Sequence, residues 1–166
     1  MTDFMLSQCL VAAAICFDLA SFQFRDRRAV VACLCAAGLL IASHFLLLDK
    51  MTAAALMLLA SARYLVCIFS TARIWLGLFL LLATTATFLT YGGPLSLLAL
   101  AGSSLQTLAA FEVDDRRLRL GMMAGTTLWL LNNALQGSPM AVLMEVLFLA
   151  SNLVGYYRHY LRPAAL

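Results

Sequence analysis

A stripe of polar side chains interrupts an otherwise apolar stretch late in the chain. Trp129, Asn132, Asn133 and Gln136 stand at positions i, i+3, i+4 and i+7, so an α-helix would place all four on one face. Hydrocarbon does not tolerate such a face, and we therefore expect this asparagine stripe to contact protein or a water-filled cavity. It is the strongest sign in the sequence of a binding site for a polar solute.

Three further polar residues could contact a solute. Glu145 and Asn152 are seven residues apart, which puts them on one helix face. Asn152 either contacts solute or makes an interhelical hydrogen bond, and Glu145 either binds a cation or reaches the outer interface. His44 is either a packed hydrogen-bonding residue or a group that titrates near neutral pH and couples transport to protons.

Asp18 and Arg63 are charged residues inside long apolar segments. Ionisable groups at membrane depth are costly, so they form functional sites or structural pairs. One interpretation is a buried ion pair between the first and third helices, because an unpaired buried charge would cost several kcal/mol. The other interpretation is a charge site linked to protons or substrate.

The composition of the 166-residue chain is that of a polytopic membrane protein. Hydrophobic residues make up 64% and charged residues 11%, whereas soluble domains are about half apolar and a quarter charged. These values exclude a soluble enzyme and a disordered tail. The net charge of +3 comes with short basic clusters, which excludes a nucleic-acid-binding face. The five cysteines are scattered through apolar segments, so we interpret them as packing residues.

Seven segments are apolar enough to be transmembrane helices, which need about 20 residues. The connections between them are short, so neighbouring helices must be antiparallel. The predicted spans are 4–24, 29–48, 51–70, 74–91, 94–111, 118–136 and 140–157. The first span is expected to be retained, because it lacks the basic start of a signal peptide and an arginine cluster follows it.

Basic residues predict how the spans are oriented. One end of the bundle carries Lys50 alone, and we call it the Lys50 end. The opposite end, the arginine-rich end, carries Arg25, Arg27, Arg28, Arg73, Arg116, Arg117, Arg119, Arg158 and Arg162. Because cytoplasmic loops are enriched in Lys and Arg, we expect the N-terminus outside and the C-terminus in the cytoplasm.

An internal repeat relates the two halves of the chain. With a shift of 89 residues, the Asp-Arg-Arg triplet at 26–28 coincides with the triplet at 115–117, and His44 coincides with Asn133. The predicted units are a three-helix repeat (1–73), a linker helix (74–93) and a second three-helix repeat (94–166). An odd number of linker helices gives the two three-helix repeats the same orientation in the membrane, as in parallel-repeat transporters.

Several short motifs are spread along nearly the whole chain. They are Arg25-Asp-Arg-Arg28, His44-Phe-Leu-Leu-Leu48, Trp129-Leu-Leu-Asn-Asn133, Gly137-Ser138, Glu145, Asn152 and Arg158. Together they resemble the YgjV-type family of bacterial inner membrane proteins. This family is similar to the wider SWEET, PQ-loop and PnuC transporter group, which implies an all-α fold of seven helices in a parallel 3+1+3, SWEET-like arrangement. The nearest equivalent of the PQ-loop Pro-Gln pair is Leu105-Gln106, which argues against a proline-hinge mechanism.

The resemblance also implies where a solute would be held. SWEET-like proteins use an asparagine on the third helix and another on the seventh. Here Asn152 occupies the second place and Arg63 the first, which favours a substrate with an acidic or strongly polar group. The predicted substrate-binding residues are His44, Arg63, Trp129, Asn132, Asn133, Glu145 and Asn152.

The expected function is movement of a small polar metabolite across the bacterial inner membrane by alternating access, facilitated or proton-coupled. The alternative is a membrane receptor or assembly subunit that binds a ligand without transporting it. We do not expect an enzyme, a cofactor or a metal site, since the P-loop, dinucleotide, HExxH and GxSxG motifs are absent from the sequence. The expected partners are the lipid bilayer and the solute, and a homo-oligomer is compatible with the sequence but not required.

Overall fold

The computed structural model describes residues 2–21 and 27–161. Seven α-helices occupy this part of the chain, with no strand among the described residues. They are α1 (Asp3–Ser21), α2 (Arg27–Leu47), α3 (Met51–Phe69), α4 (Arg73–Leu89), α5 (Pro94–Ala110), α6 (Asp115–Leu135) and α7 (Pro139–Tyr156), and a π-helical turn (Tyr157–Leu161) extends α7. The seven predicted helices are confirmed with ends within three residues, although the predicted end of the first, at 24, lies outside the described residues.

Helix starts follow from local chemistry. Pro94 and Pro139 stand in the first turns of α5 and α7, where the missing proline N–H costs no hydrogen bond. Gly93 and Gly137 precede these starts with φ values of 125° and 68°, a backbone region that glycine enters without steric cost. Asp114 caps α6 by accepting a hydrogen bond from the backbone N–H of Arg117 at 2.8 Å. The basic cluster before 118 therefore belongs to the helix and not to the preceding connection.

Six helices form a closed ring. Along the ring the order is α1, α2, α3, α5, α6 and α7, and α7 packs back onto α1. The fourth helix lies outside the ring against α3 and α5. Two interfaces therefore join α1–α3 to α5–α7, and we call them the α1–α7 seam and the α3–α5 seam.

Large apolar side chains point outward from the ring. Phe69, Phe88 and Ile74 are 85%, 83% and 79% exposed, whereas the buried positions are rich in alanine and polar residues. An apolar outer surface around a partly polar interior is the reverse of a soluble protein and marks a membrane or protein contact. The buried side chains of α4 are Phe79, Ala83 and Thr87, which form one stripe against the ring.

Three helical segments are both long and apolar enough to cross a membrane. They are Asp3–Ala20, Met51–Phe69 and Pro139–Leu161. Three shorter apolar helices accompany them: Ala32–Leu47, Arg73–Leu89 and Pro94–Ala110. The sixth helix is more polar, because it carries the arginine cluster at its start and the asparagine stripe at its end.

Candidate functional site

A cavity of about 620 Å³ lies at the centre of the ring. All six ring helices contribute to its wall, and no described residue of α4 does. Its polar lining residues are Asp18, Ser61, Tyr64, Gln106, Thr126, Glu145 and Asn152. The volume is within the range of small-molecule sites in proteins.

The cavity occupies the half of the ring nearer the arginine-rich end. On α6 its lining runs from Leu118 to Thr126, so the nine residues from there to Leu135, about 14 Å of helix, lie on the Lys50 side of it. Tyr64 and Asn152, which also line it near this end, are partly exposed. The described residues that line the cavity nearest the arginine-rich end are therefore only partly covered by protein.

Two carboxylates face the cavity from opposite sides of the α1–α7 seam. Asp18 of α1 is 6% exposed and Glu145 of α7 is 5% exposed, and the two interact electrostatically. Glu145 Oε1 accepts a hydrogen bond from Asn133 Nδ2 at 3.5 Å. No arginine or lysine is among the described lining residues.

Arg63 of α3 contacts the second group of three helices, α5–α7. It is 1% exposed, and its Nη1 donates to Thr107 Oγ1 on α5 at 2.5 Å. Thr107 in turn donates to the carbonyl of Ser103 at 2.7 Å. The described contacts of Arg63 thus tie α3 to α5, and α2 separates α3 from α1 in the ring. The ion pair with Asp18 and the role of Arg63 in binding stay predictions.

His44 links helices at the Lys50 end, outside the described cavity lining. Its ring is fully buried, with Nδ1 at 3.0 Å from the carbonyl oxygen of Ser7 and Nε2 at 3.1 Å from Ser138 Oγ. Gln8 Oε1 accepts from the backbone N–H of Met140 at 3.1 Å. These contacts join α1, α2 and the start of α7 into a polar plug between the cavity and the Lys50 end.

Three of the four residues of the asparagine stripe are buried against protein, and Gln136 is half-buried. Trp129, Asn132 and Asn133 are at most 1% exposed. The Trp129 ring packs on Phe45 with centroids 5.9 Å apart, and Gly102 makes room for it, because a Cβ there would lie 3.1 Å from Trp129 Cδ1. The carbonyl of Asn133 accepts from the backbone N–H of Ser138 at 3.1 Å, and Phe45 is the neighbour of His44, so we include these three residues in the plug. They are not among the described lining of the central cavity, and their role in binding stays a prediction.

Several polar atoms of the plug lack hydrogen-bond partners among the described residues. They are Trp129 Nε1, Asn132 Oδ1 and Nδ2, and Asn133 Oδ1. Gln136, the last member of the stripe, lines a separate cavity of about 350 Å³ at the Lys50 end. That cavity also contains the hydroxyls of Thr52 and Ser96, which are 2.9 Å apart.

The comparison with known proteins gives the family. A family model described as a bacterial inner membrane protein, Imp-YgjV, matches residues 5–163. The chain belongs to the Imp-YgjV family. The inner membrane protein YgjV of Escherichia coli (strain K12) is 28% identical over 153 residues, which cover 92% of this chain and 83% of that protein. No solved structure matches the chain.

Membership of the Imp-YgjV family confirms the resemblance predicted from short motifs. It also makes the chain a bacterial inner membrane protein, which agrees with the apolar surface of the ring. Of the predicted binding residues of this Imp-YgjV protein, the structure brings Glu145 and Asn152 to the cavity wall. Asn152 Nδ2 donates within its own helix, to the carbonyl of Phe148 at 3.1 Å.

Sequence reasoning missed several polar residues of the cavity wall. Tyr64, Gln106 and Thr126 lie inside apolar spans, and Gln106 Nε2 lies 3.5 Å from Thr126 Oγ1. A polar residue inside a span is the signal that could have found them. Ser7 and Ser138, the two partners of His44, were missed because small hydroxyl residues are common in membrane helices.

Proposed function

We propose that this Imp-YgjV protein moves a small polar solute across the inner membrane by alternating access. In this proposal all seven helices cross the membrane, the N-terminus is periplasmic, and α1–α3 and α5–α7 are the two halves of a parallel, SWEET-like repeat. The observation that carries the proposal is the polar cavity at the centre of the ring. Both α1–α3 and α5–α7 build its wall. It lies in the half of the ring nearer the arginine-rich end, and the plug lies between it and the Lys50 end.

The plug has the properties of a gate. Four of its buried polar atoms lack partners among the described residues, and each such atom costs about 1–3 kcal/mol. If α1–α3 and α5–α7 separated at the Lys50 end, these atoms would gain water or solute as hydrogen-bond partners. His44, Trp129, Asn132 and Asn133 would then line the cavity in its second state, in the role predicted from the sequence.

Thiol labelling tests alternating access without knowledge of the solute. In a cysteine-free background, Asn132→Cys should react with a membrane-impermeant maleimide added from the Lys50 end, because opening of the plug exposes it. Asn152→Cys should react from the arginine-rich end. Lys50→Cys and Arg73→Cys mark the two ends, and their labelling in intact cells and in inverted vesicles also tests the orientation.

The matched control is Leu131→Cys, next to Asn132 on α6. Leu131 is 48% exposed on the apolar outer surface, so a water-soluble reagent should not modify it. If Asn132→Cys is modified no faster than Leu131→Cys from the Lys50 end, alternating access is wrong. The receptor or assembly subunit, whose cavity opens to one end only, would then be the better proposal.

A further inference from the structure

We propose that the outside of the α1–α7 seam binds a phospholipid of the inner membrane, with one acyl chain in a groove between the two helices and the phosphate near Arg158. This inference goes beyond the proposed function, because it concerns a lipid at the outer surface of the ring and not the solute in the central cavity. It applies equally to a transporter and to a receptor or assembly subunit.

The groove is built from two helix faces that run side by side. Gln8 of α1 contacts Met140 at the start of α7, and the groove begins one helical turn beyond this contact, at Met144. From there to Ser151 it follows about 10 Å of α7. Its apolar lining comes from Ile15 and Leu19, one turn apart on α1, and from Met144, Leu147 and Phe148 on α7.

The groove opens toward the bilayer. Leu19 and Leu147 on its two walls are 53% and 43% exposed, and no described helix packs over the outside of the seam. Because the chain belongs to a family of inner membrane proteins, this apolar surface faces hydrocarbon and not water. An empty groove would leave its walls without van der Waals partners, so the acyl chain of a surrounding lipid is the occupant that fits it.

A positive charge stands beyond one end of the groove. Arg158 follows Ser151 by seven residues, which puts it near the same face of α7 and about 10 Å closer to the arginine-rich end. Arg158 is exposed. Basic residues beside a membrane helix attract anionic lipid headgroups. A phospholipid has its phosphate at the membrane surface and its chains below, and this order matches Arg158 above an apolar groove.

The groove and the central cavity share a thin wall. Asp18, Met144 and Phe148 line both of them. An acyl chain in the groove therefore packs on the outer side of the same side chains whose inner side faces the cavity. The bound chain thus separates the cavity from the bilayer at the seam that no described helix supports from outside.

Filling the groove tests the site for the acyl chain. Full-length protein, freed of lipid in detergent, is titrated with phosphatidylglycerol, and native mass spectrometry counts the bound molecules. We expect the first lipid to bind at least about tenfold more tightly than the second, and Leu147→Trp to weaken the first by about tenfold or more. The matched control is Val146→Trp, since Val146 is 46% exposed on α7 but does not line the groove. If Leu147→Trp fails to fold, Leu19→Trp decides from the α1 wall.

Removing the charge tests the site for the phosphate. Arg158→Gln should weaken binding of the first phosphatidylglycerol about fivefold, the effect of one basic residue near an anionic membrane surface. Arg73→Gln is the control, because Arg73 is an exposed arginine at the start of α4, and α4 packs on α3 and α5, away from the α1–α7 seam. Its loss should leave the affinity unchanged.

Four outcomes would overturn the inference. The first is a first lipid that binds no more tightly than the second. The second is equal weakening by Leu147→Trp and Val146→Trp, and the third is equal affinity of Arg158→Gln and Arg73→Gln for phosphatidylglycerol. The fourth is a dimer mass that Leu147→Trp abolishes, because a second copy of the chain would then occupy the groove. None of these measurements uses a solute, so their failure leaves alternating access to be decided by thiol labelling.

Discussion

The two seams that join α1–α3 to α5–α7 are built differently. In the α3–α5 seam Arg63 donates to Thr107 and Thr52 lies 2.9 Å from Ser96, and α4 packs on both helices from outside. In the α1–α7 seam Gln8 caps the start of α7, two carboxylates face each other, and no described helix covers the outside. A groove of about 230 Å³ follows this seam, and Asp18 lines both the groove and the central cavity.

This difference indicates which seam can move. The α3–α5 seam is tied near both of its ends and supported by a third helix, so it resembles a hinge. The α1–α7 seam is held near the Lys50 end and is open to a groove toward the arginine-rich end. Substitutions in the α3–α5 seam should therefore lower only the free energy of unfolding. Substitutions in the α1–α7 seam should also change how fast a water-soluble reagent reaches the plug residues.

The largest effect is expected for Arg63→Ala in the α3–α5 seam. Truncation of this buried side chain leaves a void, and we expect a loss of about 3 kcal/mol in the free energy of unfolding. Arg63→Met keeps most of the volume without the charge and should stay within about 1 kcal/mol of the wild type. Unfolding in mixed micelles, followed by tryptophan fluorescence, measures both values.

If Arg63→Ala and Arg63→Met lower the free energy of unfolding equally, the charge of Arg63 contributes more to stability than its volume. A double-mutant cycle with Asp18→Asn then tests the predicted ion pair. A coupling energy above about 1 kcal/mol would support that pair, and additive effects would contradict it.

His44→Ala should have the second largest effect, and in a different way. The substitution removes the contacts to Ser7 and Ser138 that hold the plug together, at a cost of about 2 kcal/mol for two hydrogen bonds. Because these contacts belong to the closed plug, labelling of Asn132→Cys from the Lys50 end should become about tenfold faster or more. Arg63→Ala should not accelerate it, and similar acceleration by both variants would remove the distinction between the seams.

Gln8→Ala should have the smallest effect. It removes one hydrogen bond to the backbone N–H of Met140, which is expected to cost about 1 kcal/mol of stability and to raise the labelling rate of the plug moderately. Gln8→Glu keeps an acceptor at the same place and serves as the control. If Gln8→Ala changes neither stability nor labelling, the cap on α7 contributes nothing to closure of the α1–α7 seam.

The helices were predictable because each is an apolar run between charged or Gly/Pro-containing breaks. The start of α6 was placed at 118 instead of Asp115, since the arginines were assigned to a connection and the cap formed by Asp114 was overlooked. The burial of the asparagine stripe followed from its spacing alone.

Neither the ring order nor the position of the cavity could be deduced from spacing. Asp18 and Arg63 have opposite charge and similar depth, and their pairing stays a prediction. The contact of Arg63 with Thr107 on α5 could not be deduced from spacing. His44 and Asn133 were predicted to face solute, but whether a buried polar side chain lines a cavity or seals it depends on which helices meet around it. That is a property of the assembled ring and not of one helix.

The short connections have a consequence for biosynthesis. Three or four residues join each of the helices α2 to α6 to the helix that follows it, so in the proposed topology every newly inserted helix must settle beside its predecessor. The α3–α5 seam can form once five helices have left the ribosome, whereas the α1–α7 seam must wait for the seventh. In the proposed topology, Gln8 of α1 and Asn133 of α6 lack their hydrogen-bond partners Met140 and Glu145 until α7 is inserted. A chain arrested before α7 would then carry exposed polar groups by which an incomplete membrane protein can be distinguished from a finished one.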